Sequence, residues 1–439
     1  MKLHGSMNIN SSFHLEIGGC DTVELAKEFG TPLYIMDEAL IRENCKTFVR
    51  SFSKVYPNSE VIYAGKAFLT KAISRIIYQE GMSLDVVSGG ELYTAYSAGF
   101  PMEKIYFHGN NKSPEEIKLA LDLGVGYIVV DNINEMVTIN HISAFLGKSQ
   151  KVLLRISPGV TGDTHKYIQT GQLDSKFGFP VYQDIAFNAV KKALTLDNLR
   201  IEGIHCHIGS QILDIKSFVS ATQAMIRFSK RLSKELGFTV KVLNLGGGFG
   251  ISYTEKDREF SPQKLAVSMC KAVMDEFSGS GIELPKLAVE PGRYIVGNAG
   301  TTLYTVGSIK EIPSVRKYVF IDGGMADNPR PALYQAKYRA VVANNMKRVS
   351  GEVVTLAGKC CESSDIIVRD ITLPKIKKGD LIAVLSTGAY NYSMSSNYNR
   401  LPRPAVVLVN MGKADLIVRR ESYEDIIRND LMPDRLTDS

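Results

Sequence analysis

Short apolar runs alternate with amphipathic stretches through the middle of the chain, beginning near residue 61. Each run ends in polar residues or glycine, and the stretches between the runs have helical spacing. Residues 113–116 show a typical helix start, because Ser113 can cap, Pro114 takes the first helical position and Glu116 completes a capping box. The eight runs are VIYAGK at 61–66, LDVVSGG at 84–90, IYFHGN at 105–110, YIVVDN at 127–132, VLLRI at 152–156, IEGIHCHIGS at 201–210, VLNLGGG at 242–248 and LAVEPGR at 287–293. Eight strands in about 230 residues, each returning through a helix, predict an α/β fold with a (β/α)8 TIM barrel, and an open doubly wound sheet is the alternative.

The pattern changes on both sides of this region. A strand LYIM at 33–36 precedes an amphipathic helix whose apolar stripe begins at Ile41. Beyond residue 293, β-type runs follow one another with few helical stretches, which predicts a C-terminal antiparallel β-barrel or sandwich domain. We therefore expect residues 1–35 to form an N-terminal segment that packs with the β domain, residues 36–290 to form the barrel, and residues 291–439 to form the β domain.

Composition narrows the class of protein. The 439 residues are 44% hydrophobic and 22% charged, which is ordinary for globular proteins, and no apolar run reaches the length of a membrane span. The first residues lack the pattern of a secretory signal, so we expect a cytoplasmic protein. The net charge of +6 comes from dispersed basic residues, which suits a small anionic ligand better than nucleic acid or a membrane. Six cysteines without a CxxC pair indicate neither a metal site nor a disulfide framework.

Polar side chains collect where the predicted strands end, which is the face that carries active sites in barrels of this kind. These residues are Lys66, Asp85, His108, Arg155, His207, the glycines Gly246, Gly247 and Gly248, and the tetrapeptide Glu290, Pro291, Gly292 and Arg293. Lys66 follows the apolar run VIYAG, where desolvation would favour a neutral amine able to form a Schiff base. A solvated surface lysine is the alternative.

The remaining candidates also allow two interpretations. A buried Glu290 would need a cationic partner, either a protonated ring nitrogen or Arg293. His207 could lie on an aromatic cofactor while Ser210 donates to a phosphate, or it could be a core histidine satisfied by backbone. The three glycines could admit a phosphate or simply form a tight turn. Cys361, in the β-rich region, could equally be an inert thiol.

Ten motifs taken together resemble the diaminopimelate decarboxylase family, in the family's order, from about residue 12 to residue 430. The motifs are YAGKA around Lys66, LDVVSGGEL at 84–92, HGNNKS at 108–113, SKFGF at 175–179, HCHIGSQ at 205–211, LNLGGGFGISY at 243–253, EPGR at 290–293, NPRPALYQA at 328–336, CCESSD at 360–365 and TGAY at 387–390. The resemblance implies a fold-type III, alanine-racemase-like enzyme in which the barrel holds pyridoxal 5′-phosphate (PLP).

The resemblance also implies a role for each site residue. Lys66 would hold PLP as a Schiff base, His207 would stack on its ring and Glu290 would pair with the ring nitrogen. The phosphate would be surrounded by Ser210, Gly246, Gly247, Gly248, Pro291, Gly292, Arg293 and Tyr390. The substrate would be bound by Arg293, Arg330, Tyr334, Glu362 and Tyr390. Cys361 would be the proton donor, and Cys361 and Glu362 would come from the second subunit of a homodimer with shared active sites.

The implied reaction is decarboxylation of meso-2,6-diaminopimelate to L-lysine and CO2, the last step of lysine biosynthesis. Related ornithine, arginine or carboxynorspermidine decarboxylases and an inactive regulatory homologue are the alternatives. Arg330 and Glu362 favour diaminopimelate, since its far end carries both a carboxylate and an amine. The polar segment at 159–179 follows the fifth strand, and we expect it to be a mobile lid.

Overall fold

The computed structural model describes residues 3–160, 175–347 and 351–437. The chain forms two compact units. The barrel unit comprises Ile41–Ser252 and Lys256–Gly297, and the β unit comprises Met1–Leu40, Tyr253–Glu255 and Asn298–Ser439. The predicted boundaries at 36 and 290 therefore lie a few residues before those observed. The difference arises because the strand at 33–37 belongs to a sheet of the β unit, while the short helix after the EPGR turn belongs to the barrel unit.

Eight parallel strands close on themselves in the barrel unit, which confirms the predicted barrel and excludes the open sheet. Before it, the chain forms β1 (Asn8–Ile9), β2 (Leu15–Ile17), β3 (Cys20–Asp21), α1 (Thr22–Phe29) and β4 (Leu33–Asp37). The elements that follow are α2 (Glu38–Val55), β5 (Ser59–Ala64), α3 (Lys71–Gln79), β6 (Ser83–Val86), α4 (Gly89–Ser97), β7 (Ile105–Phe107), α5 (Pro114–Leu123), β8 (Tyr127–Val130), α6 (Ile133–Phe145), β9 (Gln150–Ser157), β10 (Phe179–Pro180), α7 (Ile185–Ala193), β11 (Leu199–His205), α8 (Ile215–Leu236), β12 (Val242–Asn244), α9 (Pro262–Phe277), β13 (Lys286–Val289) and α10 (Arg293–Val296). The strand order around the barrel is β5, β6, β7, β8, β9, β11, β12, β13 and back to β5, with β10 added beside β9.

Packed side chains fill the barrel interior, so the site can lie only at an end of it. Ile62, Tyr106, Leu153 and Ala288 belong to one buried cluster drawn from different strands. At the end where the strands begin, Lys286 on β13 pairs with Glu60 on β5 at 2.5 Å. The candidate catalytic residues are therefore expected at the opposite end, where the strands finish, as in other barrels of this type.

The β unit contains a mainly antiparallel assembly, as predicted. Its further elements are β14 (Gly300–Ile312), β15 (Arg316–Ile321), α11 (Arg330–Tyr334), β16 (Ala340–Val342), β17 (Gly351–Ala357), β18 (Ile366–Pro374), β19 (Leu381–Leu385), β20 (Ala405–Asn410), β21 (Lys413–Val418) and α12 (Tyr423–Ile427). The strand order is β18, β17, β15, β14, β4, β20, β21, and β19 pairs with both β14 and β16. Two pairings, β4 with β20 and β15 with β17, are parallel, which the sequence pattern did not show.

The N-terminal segment contributes to the core of this β unit. Leu15 and Ile17 on β2 pack in one buried cluster with Leu303 on β14 and Val407 on β20. Burial of such side chains stabilises the sheet by roughly 1.5–3 kcal/mol each. Among the residues that the structure describes, no helix is both long enough and apolar enough to span a membrane.

Candidate active site

Lys66 lies directly after β5, in a short 3-10 helix over Gly65–Ala67. Its side chain is half-buried, and its charge acts on the pKa values of Asp85 and His207. Gly65 is needed for this turn, because a Cβ there would lie 2.7 Å from the carbonyl oxygen of Asp85 at the end of β6. The strand ends therefore place a lysine amine beside a buried carboxylate and an imidazole.

Glu290, directly after β13, is a buried carboxylate at this end of the barrel. Its Oε1 lies 3.0 Å from His108 Nε2 and accepts a hydrogen bond of 2.8 Å from Asn244 Nδ2. Its Oε2 lies 3.2 Å from His205 Nε2. All four side chains are buried. A ring nitrogen or Arg293 was expected from the sequence as the cationic partner of Glu290, and the structure shows two histidines and an asparagine in contact with it.

The surroundings of Glu290 and His205 determine whether each of them is charged. Burial alone would raise the pKa of Glu290, but the interactions with His108 and His205 outweigh it and hold that pKa well below its usual range. Burial lowers the pKa of His205 to about 4, against the opposing effect of Glu290. Near neutral pH, Glu290 is therefore an anion and His205 a neutral donor.

His207 is half-buried just beyond the end of β11. Its Nδ1 accepts a hydrogen bond of 3.2 Å from the backbone N–H of Gly247. Burial and the charges of Lys66 and Arg155 hold the pKa of His207 well below its usual range. Because Nδ1 is an acceptor, the ring is neutral with its proton on Nε2. The geometry supplies an uncharged planar ring beside the lysine, as the cofactor interpretation requires.

The turn at 246–248 packs closely against the turns after β11 and β13, which carry Ser210 and Arg293. Nη2 of the buried Arg293 donates a hydrogen bond of 2.8 Å to Ser210 Oγ. A Cβ on Gly246 would lie 2.2 Å from the carbonyl oxygen of Cys206, and one on Gly247 would lie 2.0 Å from that of Glu290. The predicted phosphate-site residues of the barrel unit are thus brought together.

Arg330, Tyr334 and Tyr390 form a second cluster, within the β unit. The Arg330 guanidinium lies 5.3 Å from the centre of the Tyr334 ring and 5.7 Å from that of Tyr390. Its Nε donates a hydrogen bond of 3.1 Å to the hydroxyl of Tyr338. Tyr390 has a φ of 61°, which is uncommon for a residue with a side chain and is frequent at binding sites. Arg330 is therefore a buried cation oriented by aromatic rings.

Cys361 and Glu362 are exposed, unlike the buried Cys360. The backbone N–H of Cys361 donates to Asn399 Oδ1 at 2.7 Å, and Glu362 Oε1 accepts from the backbone N–H of Ser364 at 3.1 Å. Burial raises the pKa of the Cys360 thiol to about 11, so that thiol is an inert neutral group. Of the two adjacent cysteines, Cys361 is the accessible one.

His205 and Asn244 were not recognised as site residues from the sequence. The pairing register of neighbouring strands could have identified them, because His205 on β11 aligns with Arg155 on β9 and with Asn244 on β12. Polar residues at one level of neighbouring strands indicate a polar layer inside the barrel mouth. Most of the predicted lid, residues 161–174, lies outside the described residues.

Comparison with known proteins identifies the family. Residues 39–297 match the model of the pyridoxal-dependent decarboxylase, pyridoxal binding domain. The diaminopimelate decarboxylase of Bacillus subtilis is 52% identical over 431 residues, which are 98% of this chain and 98% of that protein. The crystal structure of diaminopimelate decarboxylase from M. jannaschii in complex with L-lysine matches with a TM-score of 0.92 and 39% identity, over 98% of this chain and 99% of that one. The enzyme from Helicobacter pylori, complexed with L-lysine, matches with a TM-score of 0.85 and 32% identity, over 93% and 98% of the two chains. The likeness extends over both units, and the chain therefore belongs to the diaminopimelate decarboxylase family of pyridoxal-dependent decarboxylases.

Proposed function

We propose that this protein uses PLP to decarboxylate meso-2,6-diaminopimelate, giving L-lysine and CO2 as the last step of lysine biosynthesis. The observation that carries the proposal is the buried, ionised Glu290 at the end of β13, in a barrel that also presents Lys66 and a neutral His207. A buried carboxylate held as an anion suits a cationic ring nitrogen.

The residues of the barrel unit fit PLP by their chemistry. Lys66 supplies an amine for a covalent link, and His207 supplies an uncharged ring. Arg293 and Ser210 are already hydrogen-bonded to each other and supply a cation and a hydroxyl for a phosphate. When bound, PLP supplies an electron sink for the electron pair that remains on the α-carbon as CO2 leaves. Glu290 keeps the ring nitrogen protonated, which favours that sink.

The substrate end of the proposal rests on the β unit. Diaminopimelate carries a carboxylate and an amine at its far end, and a planar guanidinium binds a carboxylate with two parallel hydrogen bonds. Arg330, fixed by Tyr334, Tyr338 and Tyr390, offers such a guanidinium. Glu362 would bind the far amine, and Cys361 would donate a proton from Sγ to the α-carbon. Ornithine and arginine lack the far carboxylate, so Arg330 favours diaminopimelate over them.

The assay compares CO2 release from meso-diaminopimelate, ornithine and arginine. We expect turnover of meso-diaminopimelate alone. Borohydride treatment followed by peptide mass spectrometry should place reduced PLP on Lys66, and Lys66→Ala should lose both the label and nearly all turnover. Lys71→Ala is the matched control, since Lys71 is an exposed lysine at the start of α3. Preferred turnover of ornithine, or a label on another lysine, would contradict the proposal.

We also propose that the active unit is a homodimer in which Cys361 and Glu362 complete the site of the other chain. Support comes from their exposure in a single chain and from a nearby apolar surface. Asn399 binds Cys361, and the next residue, Arg400, binds the carbonyl of Ile426 and the carboxylate of Asp430. Around that segment, the apolar side chains of Tyr423, Ile427, Leu431 and Met432 are exposed. Clusters of exposed apolar side chains mark interaction surfaces.

Mixing inactive subunits tests the shared site. Lys66→Ala chains mixed with Cys361→Ala chains should recover about a quarter of wild-type activity, because about half of the dimers are mixed and each holds one intact site. Lys66→Ala mixed with the double variant Lys66→Ala/Cys361→Ala is the control and should recover nothing. Absence of recovery after demonstrated subunit exchange would place both residues of a site in one chain.

A further inference from the structure

Both carboxylate oxygens of Glu290 are held by side chains of the barrel itself. His108 approaches Oε1 from β7 and His205 approaches Oε2 from β11, at 3.0 and 3.2 Å. Asn244 adds a donor to Oε1. We call His108 and His205 the histidine clamp. Since His205 is neutral, it adds no charge to this carboxylate and acts on it through its hydrogen bond.

We propose that the histidine clamp positions the proton shared between Glu290 and the cofactor, keeping it on the ring nitrogen of PLP. This inference rests on the proposed function, which pairs Glu290 with that nitrogen. In a dry pocket, a carboxylate and a pyridine tend to share a proton as the neutral acid and the neutral base. Hydrogen bonds donated to the carboxylate stabilise its ionised form and so move the proton to the ring. His108 and His205 are positioning residues in this scheme, since they act through Glu290.

The geometry fixes the direction of both imidazoles. The two rings meet edge to face, with centroids 4.8 Å apart and planes at 71°. His205 is neutral, because burial lowers its pKa to about 4, and a neutral imidazole with a proton on Nε2 donates to Glu290. The two Nε2 atoms thus lie at the same carboxylate, with a hydrogen bond from His205 to Oε2 and a close polar contact of 3.0 Å between His108 and Oε1.

Asp85 is a second buried carboxylate beside the clamp, with Oδ2 3.9 Å from His108 Nε2. Burial raises the pKa of Asp85, the charge of His108 opposes that shift and the charge of Glu290 adds to it. Glu290, at 3.0 Å from the same nitrogen, is the nearer and more acidic group. His108 Nε2 therefore lies closer to Glu290 than to Asp85. The charges of Lys66 and Arg155 also act on Asp85.

The test uses PLP labelled with 15N in the ring and bound to the purified protein. In the wild type, the 15N resonance should have the chemical shift of a protonated ring. His205→Phe keeps a ring against His108 but removes the donor, whereas His205→Gln removes the ring but retains an N–H that can reach Oε2. Loss of a hydrogen bond to a charged group is expected to shift the proton equilibrium roughly tenfold to hundredfold towards Glu290. The resonance should move towards the unprotonated shift in His205→Phe and return in His205→Gln.

His108→Phe and His108→Gln repeat the comparison at Oε1, so an unfolded variant at one position still leaves a test at the other. Thermal unfolding identifies variants that fold. A protonated ring in folded phenylalanine variants at either position would overturn the inference, as would glutamine variants that resemble the phenylalanine ones. An unprotonated ring in the wild type would also overturn the inference, whereas absence of the borohydride label on Lys66 would contradict the proposed function, so the two failures are distinguishable.

Discussion

Replacing Gly247 with alanine should disturb both Glu290 and His207, because Gly247 contacts each of them. An added Cβ would lie 2.0 Å from the carbonyl oxygen of Glu290 and 3.0 Å from its carbonyl carbon. Ordinary contact begins at about 3.4 Å, so the turn or the end of β13 must move by more than 1 Å. The same glycine donates its N–H to His207 at 3.2 Å, so the movement also loosens that ring.

The size of the effect follows from this displacement. Misplacing catalytic groups by about 1 Å costs roughly a hundredfold in rate, and forcing extra atoms into a packed site costs about 1–3 kcal/mol of stability. We expect kcat for CO2 release from meso-diaminopimelate to fall about a hundredfold in Gly247→Ala. Thermal unfolding should show a folded protein with a modestly lower midpoint, and the absorbance of bound PLP should be shifted or reduced.

Gly307→Ala is the matched control for this variant. Gly307 is exposed on β14, and the nearest atom to an added Cβ would be the carbonyl oxygen of Phe320 at 3.9 Å. Its kcat should equal that of the wild type, with stability changed by no more than about 0.5 kcal/mol. Wild-type kcat and PLP absorbance in Gly247→Ala would refute the argument that this close approach fixes Glu290 and His207.

Three further changes should have distinct effects. Arg330→Lys keeps the charge but loses the planar guanidinium and its two parallel hydrogen bonds, so KM for meso-diaminopimelate should rise at least about tenfold in initial-rate assays. An unchanged KM would show that Arg330 does not bind the substrate. Lys112→Met leaves the buried Glu135 unpaired and should cost about 3–5 kcal/mol in urea unfolding, whereas Lys112→Met/Glu135→Met should recover most of it. The pKa of Glu60 lies below its ordinary 4.5, because Lys286, Ser83 and Tyr106 outweigh burial. The stability that ionised Glu60 contributes is therefore present above about pH 4.5 and is lost as the pH falls through the lower pKa of the folded protein. The loss of unfolding free energy in Glu60→Gln should therefore shrink between about pH 6 and pH 3. A loss that stays constant with pH would contradict this.

The barrel can be predicted from the sequence because its strands are buried on both faces and each appears as a continuous apolar run. Strand ends are equally visible, since polar or glycine residues interrupt the runs there. Lys66, His207 and Glu290 were therefore recognisable as candidates, and the structure brings all three to one end of the barrel. Their roles toward PLP, and that of Cys361, came from the family resemblance.

Register and long-range pairing could not be predicted in the same way. The level of a residue in the barrel depends on the stagger of each strand against its neighbours, which a run such as LNL does not record. His205, Arg155 and Asn244 therefore did not stand out as one layer, although each lay within a predicted run. Likewise, nothing in LYIM indicates that β4 pairs with β20 instead of a nearer strand.

The pairing of β4 also determines when each part of the protein can fold during synthesis. β4 lies between β14 and β20, so its sheet cannot be complete until Ala405–Asn410 has been made. At roughly 5–20 residues per second, the intervening stretch of about 370 residues takes roughly 20–75 s. All residues of the barrel unit are made within that interval, before either β14 or β20 can pair with the apolar β4. An unpaired apolar strand is an aggregation hazard, so the nascent chain is most prone to aggregate until β14 has been made, and β4 keeps one open edge until β20 follows.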